Sequence, residues 1–309
     1  VILKYLTAGS TPPAEEYIQA TGGTITQVGS KKVHSFTSSG DFVVSAVPAG
    51  KTIDYIIIGG GGGGGGSSAG GGGGGGVIQG TSVTPSVQTY PITIGAGGNF
   101  GAIATAGYGY PDQEATAGGN STGFGQTALG GGKGGTYAFN SGNGGNGASG
   151  GGGGYSGTKG LGTSPQGNNG GDGGATNYAG GGGGFSSAGV NYNAGTSKSG
   201  NGGAGFVTSM RGTSEEFACG GGGGTAFKPS QKGLGGGTFN GIRPDSGHGW
   251  VDESVPGTEA DERSTLRAIG TSGAPNSGHG GGGAGGYYTN GYGGTGGSGI
   301  VIISYDSPA

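Results

Sequence analysis

Residues 55–76 read YIIIGGGGGGGGSSAGGGGGGG. A strand-like run ends in eight consecutive glycines, Ser67-Ser68-Ala69 breaks the run, and seven more glycines follow. Glycine loses more backbone entropy on folding than any other residue. The stretch is therefore either a mobile linker or a structure that only glycine can build. A helix interior is ruled out, because each glycine costs about 1 kcal/mol there relative to alanine. The polyproline II conformation is open to it: about 3 residues per turn, a rise of about 3.1 Å, and no internal hydrogen bonds. Every N–H and C=O of such a helix points outward, so helices packed side by side can satisfy one another. A Cβ would hold the backbones apart. A run of eight spans about 25 Å. The reading is a core made of glycine helices. Long runs should be surrounded on all sides, and interrupted runs such as GNGGNGASG (142–150) should keep one solvated face.

Working outward, glycine supplies 94 of 309 residues, apolar residues 29%, charged residues 9%, and the formal net charge is −3. Disordered chains usually combine low hydrophobicity with high net charge, and this chain has only the first. Further glycine runs recur at 130–132, 150–154, 180–184, 220–224, 235–237 and 280–283. Nearly every segment between them carries an aromatic, among them Tyr137, Tyr155, Tyr178, Phe185, Phe227 and Phe239. A strict G-X-Y register is missing, which excludes collagen. The weak negative charge offers no basic face for a nucleic acid. No apolar stretch reaches the ~18 residues of a membrane helix. Cys219 is the single cysteine, so neither an intrachain disulfide nor a cysteine-based metal site is available.

Strand signals cluster at the two ends of the chain. Residues 32–37, a turn at 38–41 and a return strand at 42–47 are followed by strands at 53–58 and 86–94, and the last is IVIISY at 300–305. The expected fold is mostly β and irregular. A small antiparallel β-sandwich is drawn from 24–94 plus 299–309, and 95–298 forms a packed bundle of polyglycine II helices with long surface loops. Residues 1–23 read as an attachment or assembly segment. Its opening VILKYL is strand-like, Pro12-Pro13 breaks it, and 14–20 suggests a short helical turn. The opening strand is either an edge of its own domain or a strand donated to a partner subunit. Val1, Ile2, Leu3, Tyr5 and Leu6 are the candidate assembly residues.

Catalytic and ligand motifs are formal only. Gly59, Gly61 and Gly64 fit G-x-G-x-x-G, but no amphipathic helix follows to present its N-terminus to a dinucleotide. GGGKGGT around Lys133 has Gly134 where a phosphate loop needs Ser or Thr. GGDGG around Asp172 lacks the spacing of calcium-binding nonapeptides. His34, His248 and His279 lie far apart, with no metal-ligand spacing. Asp252, Glu253, Glu259, Asp261 and Glu262, with Arg263 and Arg267, read as a solvated loop or short helix. Asn120-Ser121-Thr122 is a glycosylation sequon only in a secretory setting. The chain is read as a non-enzyme without cofactor or metal.

The motifs that remain carry a resemblance. HSFTSSGDF (34–42) followed by AGKTIDYIIIGGGGGGGG (49–66), together with the closing GGTGGSGIVIISY (293–305), resembles a glycine-rich domain common in bacteriophage structural and tail-fibre proteins. In that family a His-x-Phe-Thr-x-Ser-Gly-x-Phe hairpin precedes a strand that ends in a glycine run. The chain is more loosely similar to the adhesins at the tips of long tail fibres in T-even-like phages. There, loops projecting from stacked polyglycine II helices recognise bacterial surface proteins or saccharides. The resemblance implies an extracellular or virion-surface adhesin. Its partners would be a bacterial surface protein or saccharide, other tail or virion subunits, or copies of itself, with no nucleic acid and no membrane insertion. The alternative is a self-assembling structural subunit of a filament or virion decoration, joined by its N-terminal strand. Loop position and the low entropy cost of rigid aromatic anchors single out Tyr108, Tyr110, Tyr192, Trp250, Tyr287 and Tyr288 as receptor contacts.

Overall fold

The computed structural model describes residues 16–103, 113–137, 142–175, 178–225, 234, 268–286 and 291–308. No helix appears among them. In chain order the strands are β1 (Gln19–Thr21), β2 (Thr24–Val28), β3 (Lys31–Phe36), β4 (Gly40–Ala46), β5 (Ile53–Ile58), β6 (Val77–Val83), β7 (Thr89–Ile92), β8 (Ala102–Ile103), β9 (Ser121–Gly123), β10 (Gln126–Ala128), β11 (Phe206–Thr208), β12 (Glu215–Phe217), β13 (Ala268–Ile269), β14 (Gly291–Tyr292) and β15 (Ile300–Asp306).

The two ends of the chain meet in one sandwich. A five-stranded sheet has the order β2-β3-β15-β5-β6, and a three-stranded sheet has the order β1-β4-β7. All of these neighbours are antiparallel, and β15 sits between β3 and β5. Between the sheets lie Phe36, Phe42, Val44, Ile57, Val301 and Ile303. The ring of Tyr55 stacks on Phe124 with centroids 4.5 Å apart. Phe124 and Gly125, both at positive φ, form the two-residue turn of the β9–β10 hairpin. The opposite face of the large sheet is buried too. Ile56, Ile58, Ile300 and Ile302 pack on Phe217 of the β11–β12 hairpin, with Phe185 and Phe206 alongside. Burial on both faces explains why β5 and β15 read as continuous apolar runs rather than alternating ones.

Three sequence expectations change, and two strands go unforeseen. The pair 32–37 and 42–47 is not a hairpin: β3 pairs with β2 and β15, whereas β4 pairs with β1 and β7. The intervening Thr37-Ser38-Ser39 connection carries the chain from one sheet to the other, and Phe36 and Phe42 both face the space between them. Residues 19–21 are strand rather than helical turn, since Ile18 and Ala20 fill the same core. β2 and β6 had no period-2 signature. In β6, Gly80 lies beneath the ring of Tyr55, where a Cβ would stand 2.3 Å from a ring carbon. The strand expected at 86–94 shortens to β7.

β5 runs directly into the glycine core. The amides of Gly59, Gly62 and Gly65 donate to 76, 73 and 70; those of Gly60 and Gly63 to 119 and 116; those of Gly61 and Gly64 to 297 and 294. The carbonyls of the same helix accept from 98 and 101, from 131 and 134, and from 281 and 284. Each partner helix recurs every third residue, which is the period of a polyproline II helix. The 59–65 helix is thus enclosed by six others, which also bond to one another around it. The 70–76 helix has six neighbours as well: 59–65, 129–135, 149–152, 180–183, 218–222 and 278–281. The runs at 150–154 and 180–184 are enclosed in the same way. No glycine of 59–66 or 70–76 takes a left-handed φ, so the two helices share one hand. At 59–65 and 70–75 an added Cβ would stand 1.9–2.2 Å from a neighbouring carbonyl oxygen. The long runs are the helices with no free face, as their composition predicts.

Candidate functional site: the far end of the lattice

Strands and glycine helices join at one end of the lattice. β5 leads into 59–65, β6 follows 70–76, β12 precedes 218–224, and β15 follows 293–299. The other end carries the connections between ascending and descending helices. Its centre is Ser67-Ser68, held at φ 58° and 42°. Both hydroxyls donate to the carbonyl of Gly286, at 3.2 and 2.8 Å. Gly66 N–H donates to Thr136 Oγ1 at 3.2 Å, and Tyr155 N–H to Ser68 O at 2.9 Å. Ala102 and Gly291 also abut this centre. The small sheet β13-β14-β8 closes one side. Loops from distant parts of the chain therefore meet on one surface.

Aromatic rings rim that surface. Tyr137 and Tyr155 contact edge to face at 5.3 Å, and Phe100 meets Tyr292 at 6.4 Å in the same geometry. Tyr192 lies half-buried over Gly174, where a Cβ would come within 2.5 Å of its ring, and its N–H donates to Asp172 O at 3.0 Å. Beyond it, Asn193 and Lys198 pair through both backbone bonds, at 2.8 and 3.1 Å, around an exposed turn. Of the candidate receptor contacts, the structure thus positions Tyr192 at this end. Tyr108, Tyr110, Trp250, Tyr287 and Tyr288 lie outside the described residues, as do Val1, Ile2, Leu3, Tyr5, Leu6 and the acidic cluster at 252–267. Ile103 and Gln113, which flank 104–112, and Gly286 and Gly291, which flank 287–290, all stand at the far end. The Tyr137–Tyr155 pair and the 193–198 turn were not singled out by sequence. Only their place between two glycine runs would have signalled them.

Asparagine and serine have a use that composition did not reveal. Where a perimeter helix lacks a neighbour, a side-chain oxygen takes the place of the missing carbonyl. Thr158 and Leu161 N–H donate to Asn143 and Asn146 Oδ1, at 2.9 and 2.8 Å. Gly162 and Lys159 N–H donate to Asn169 and Asp172 Oδ1, at 2.8 and 2.9 Å. Acceptors three residues apart serve donors three residues apart, following the helix period. Ser187 caps Ala204 and Ser272 caps Thr295 in the same manner. The polar residues around GNGGNG are thereby accounted for by the lattice edge. Lys159 Nζ also pairs with Asp172 at 2.7 Å. Burial pushes the Asp172 carboxyl up, but the side-chain and backbone bonds from Lys159 outweigh it and hold the group below its usual range.

The strongly perturbed titratable groups sit in the interior. His34 bonds Gly22 O through Nδ1 at 2.7 Å and Tyr305 Oη through Nε2 at 2.9 Å, and burial lowers its pKa. His279 Nδ1 accepts from Cys219 N–H at 3.1 Å, and burial lowers its pKa to about 4. Burial, with Glu216 nearby, pushes the Cys219 thiol far up. Among the described residues, no three His, Cys, Asp or Glu side chains gather as a metal site, and no helix is long and apolar enough to cross a membrane.

A family profile described as a glycine-rich domain matches residues 37–306. The chain belongs to that family. No curated protein matches it.

Proposed function

We propose that this member of the glycine-rich domain family is an adhesin of a phage tail fibre or virion surface. It binds a bacterial surface protein or saccharide through the loops at the far end of the lattice. One observation carries the reading: connections from distant parts of the chain converge on a single surface, at the end of a scaffold held by backbone hydrogen bonds. Binding residues are typically borne on loops positioned by a rigid frame, and sites need rigid support to keep their geometry. Tyr192 and the 193–198 turn supply a ring and exposed polar groups side by side. Tyr108, Tyr110, Tyr287 and Tyr288 belong to segments whose flanking residues stand at the same end, and Trp250 completes the candidate set.

The test replaces 104–112 and 193–198, singly and together, with Gly-Ser loops of equal length. Adsorption of the labelled protein to a panel of bacterial strains is then measured beside thermal unfolding. Loss of adsorption at an unchanged unfolding midpoint supports the adhesin. Undiminished adsorption of the double replacement overturns it.

A further inference from the structure

The sandwich has four outer strands, and three carry features that discourage further pairing. β1 is three residues long with a register shift between Gln19 and Ala20. β6 has a register shift opposite Ile53/Tyr55, contains Gly80, and holds Ser82 at φ 52° with its N–H donating to Asp54 at 2.9 Å. β7 contains Pro91. Shortness, bulges and proline are known ways of blunting an edge. β2 has none of them. Its sequence TITQV has no charge, glycine or proline, it pairs with β3 in unbroken register, and four of its five residues are exposed, Ile25 at 45%. Along the lattice perimeter, by contrast, side chains cap amides that lack a helix neighbour. Among the described residues, the β2 edge has neither kind of guard and stands apart from both.

The same chain contains a fitting strand. VILKYL at 1–6 is as long as β2 plus one residue, rich in strand-forming residues, and carries a single charge at Lys4. The chain enters the sandwich at β1 and crosses through Gly22-Gly23 straight into β2. Residues 16–18, which lead into β1, therefore stand on the side of the sandwich that bears the β2 edge. We infer that β2 is an acceptor edge, which takes Val1–Leu6 of a second copy of this chain as a sixth strand. Main-chain hydrogen bonds supply the affinity in this mode of recognition. Reciprocal exchange closes a dimer, and one-way donation extends a filament. The inference is independent of the receptor reading, since it uses neither the far-end loops nor their tyrosines.

The full chain is compared with Thr26→Lys, Thr26→Pro and Leu3→Pro by light scattering, electron microscopy and hydrogen exchange. A peptide of sequence VILKYL is added as a competitor. The expected result is association of the parent chain, at least a tenfold weaker association for each variant, and dissociation by the peptide. Thr26→Lys keeps every backbone bond, so it reads the edge even if the proline variant misfolds. A monomeric parent overturns the inference. So does a monomer in which Leu3→Pro exposes β2 amides, which means the segment pairs within its own chain. Association unaffected by Leu3→Pro but lost in Thr26→Lys assigns the edge to β2 of the second copy and overturns the donated strand.

Discussion

At Gly63 an added Cβ would stand 1.9 Å from the carbonyl oxygen of Asn99, and backbone cannot retreat as a flexible side chain does. Gly63→Ala should therefore cost about 3 kcal/mol or more, at the upper end of overpacking. Gly40, with open space around its Cβ position and an ordinary φ, is the control: Gly40→Ala should stay within about 0.5 kcal/mol. Urea denaturation of the two variants measures the contrast. The buried histidines act at the same scale. A base whose pKa is lowered by folding is neutral inside and protonated in the unfolded chain, so stability rises with pH wherever the unfolded state binds more protons. His279, lowered from 6.5 to about 4, contributes fully above pH 6.5 and loses its contribution as pH falls toward 4. His34 shifts in the same direction. The unfolding free energy from urea denaturation should be flat above pH 6.5 and decline below it, by about 3 kcal/mol at pH 4 from His279. A free energy that does not change between pH 7.5 and pH 4.5 contradicts the burial of both rings in neutral form.

Among the elements, the glycine helix was the most legible in sequence. The runs of eight and seven could satisfy their backbone only by mutual packing, and they are the two central helices of the lattice. The 53–58 and 300–305 strands were legible because burial on both faces makes them uniformly apolar. β2, β6 and the β11–β12 hairpin were not. Their side chains are set by neighbours distant in sequence, as Gly80 is by the ring of Tyr55. The asparagines of GNGGNG were legible in part: the interrupted run pointed to a helix with one solvated face, but not to side chains that stand in for missing carbonyls. Their i, i+3 spacing reports a helix with an unfilled side, but the same letters suit an adaptable binding loop. Asn146→Ala tests the distinction. The amide of Leu161 loses its acceptor and should exchange at least severalfold faster, whereas Gly160 N–H, bonded to Gly151 O at 2.8 Å, should be unchanged. Because Leu161 is exposed, water can replace the side chain, and the stability loss should be about 1 kcal/mol or less.

The whole molecule has two kinds of interior, an apolar sandwich and a lattice of peptide groups. Hydration of apolar surface raises the heat capacity of unfolding and hydration of polar surface lowers it, with a usual net of about 12–15 cal/mol/K per residue. A core that buries peptide groups in place of methyls should fall well short, at about 10 or below. Differential scanning calorimetry with the whole chain reads this directly, and a conventional value would mean that the apolar sandwich dominates unfolding. The expected joining of both chain ends in one sandwich holds at this scale, and the tip was legible only as a set of intervals between glycine runs. The order of assembly also follows from the topology. The 59–65 helix is enclosed partly by residues 294–297, and β15 fills the middle of the large sheet rather than its edge. Early in synthesis, the first strands emerge with a gap between β3 and β5 and with glycine carbonyls still bonded to water. Closing them requires contacts across more than two hundred residues, and folding slows when such distant partners must meet. A ribosome that stops before residue 300 therefore releases a chain with an open centre. This part of the fold cannot close until its last strand has emerged.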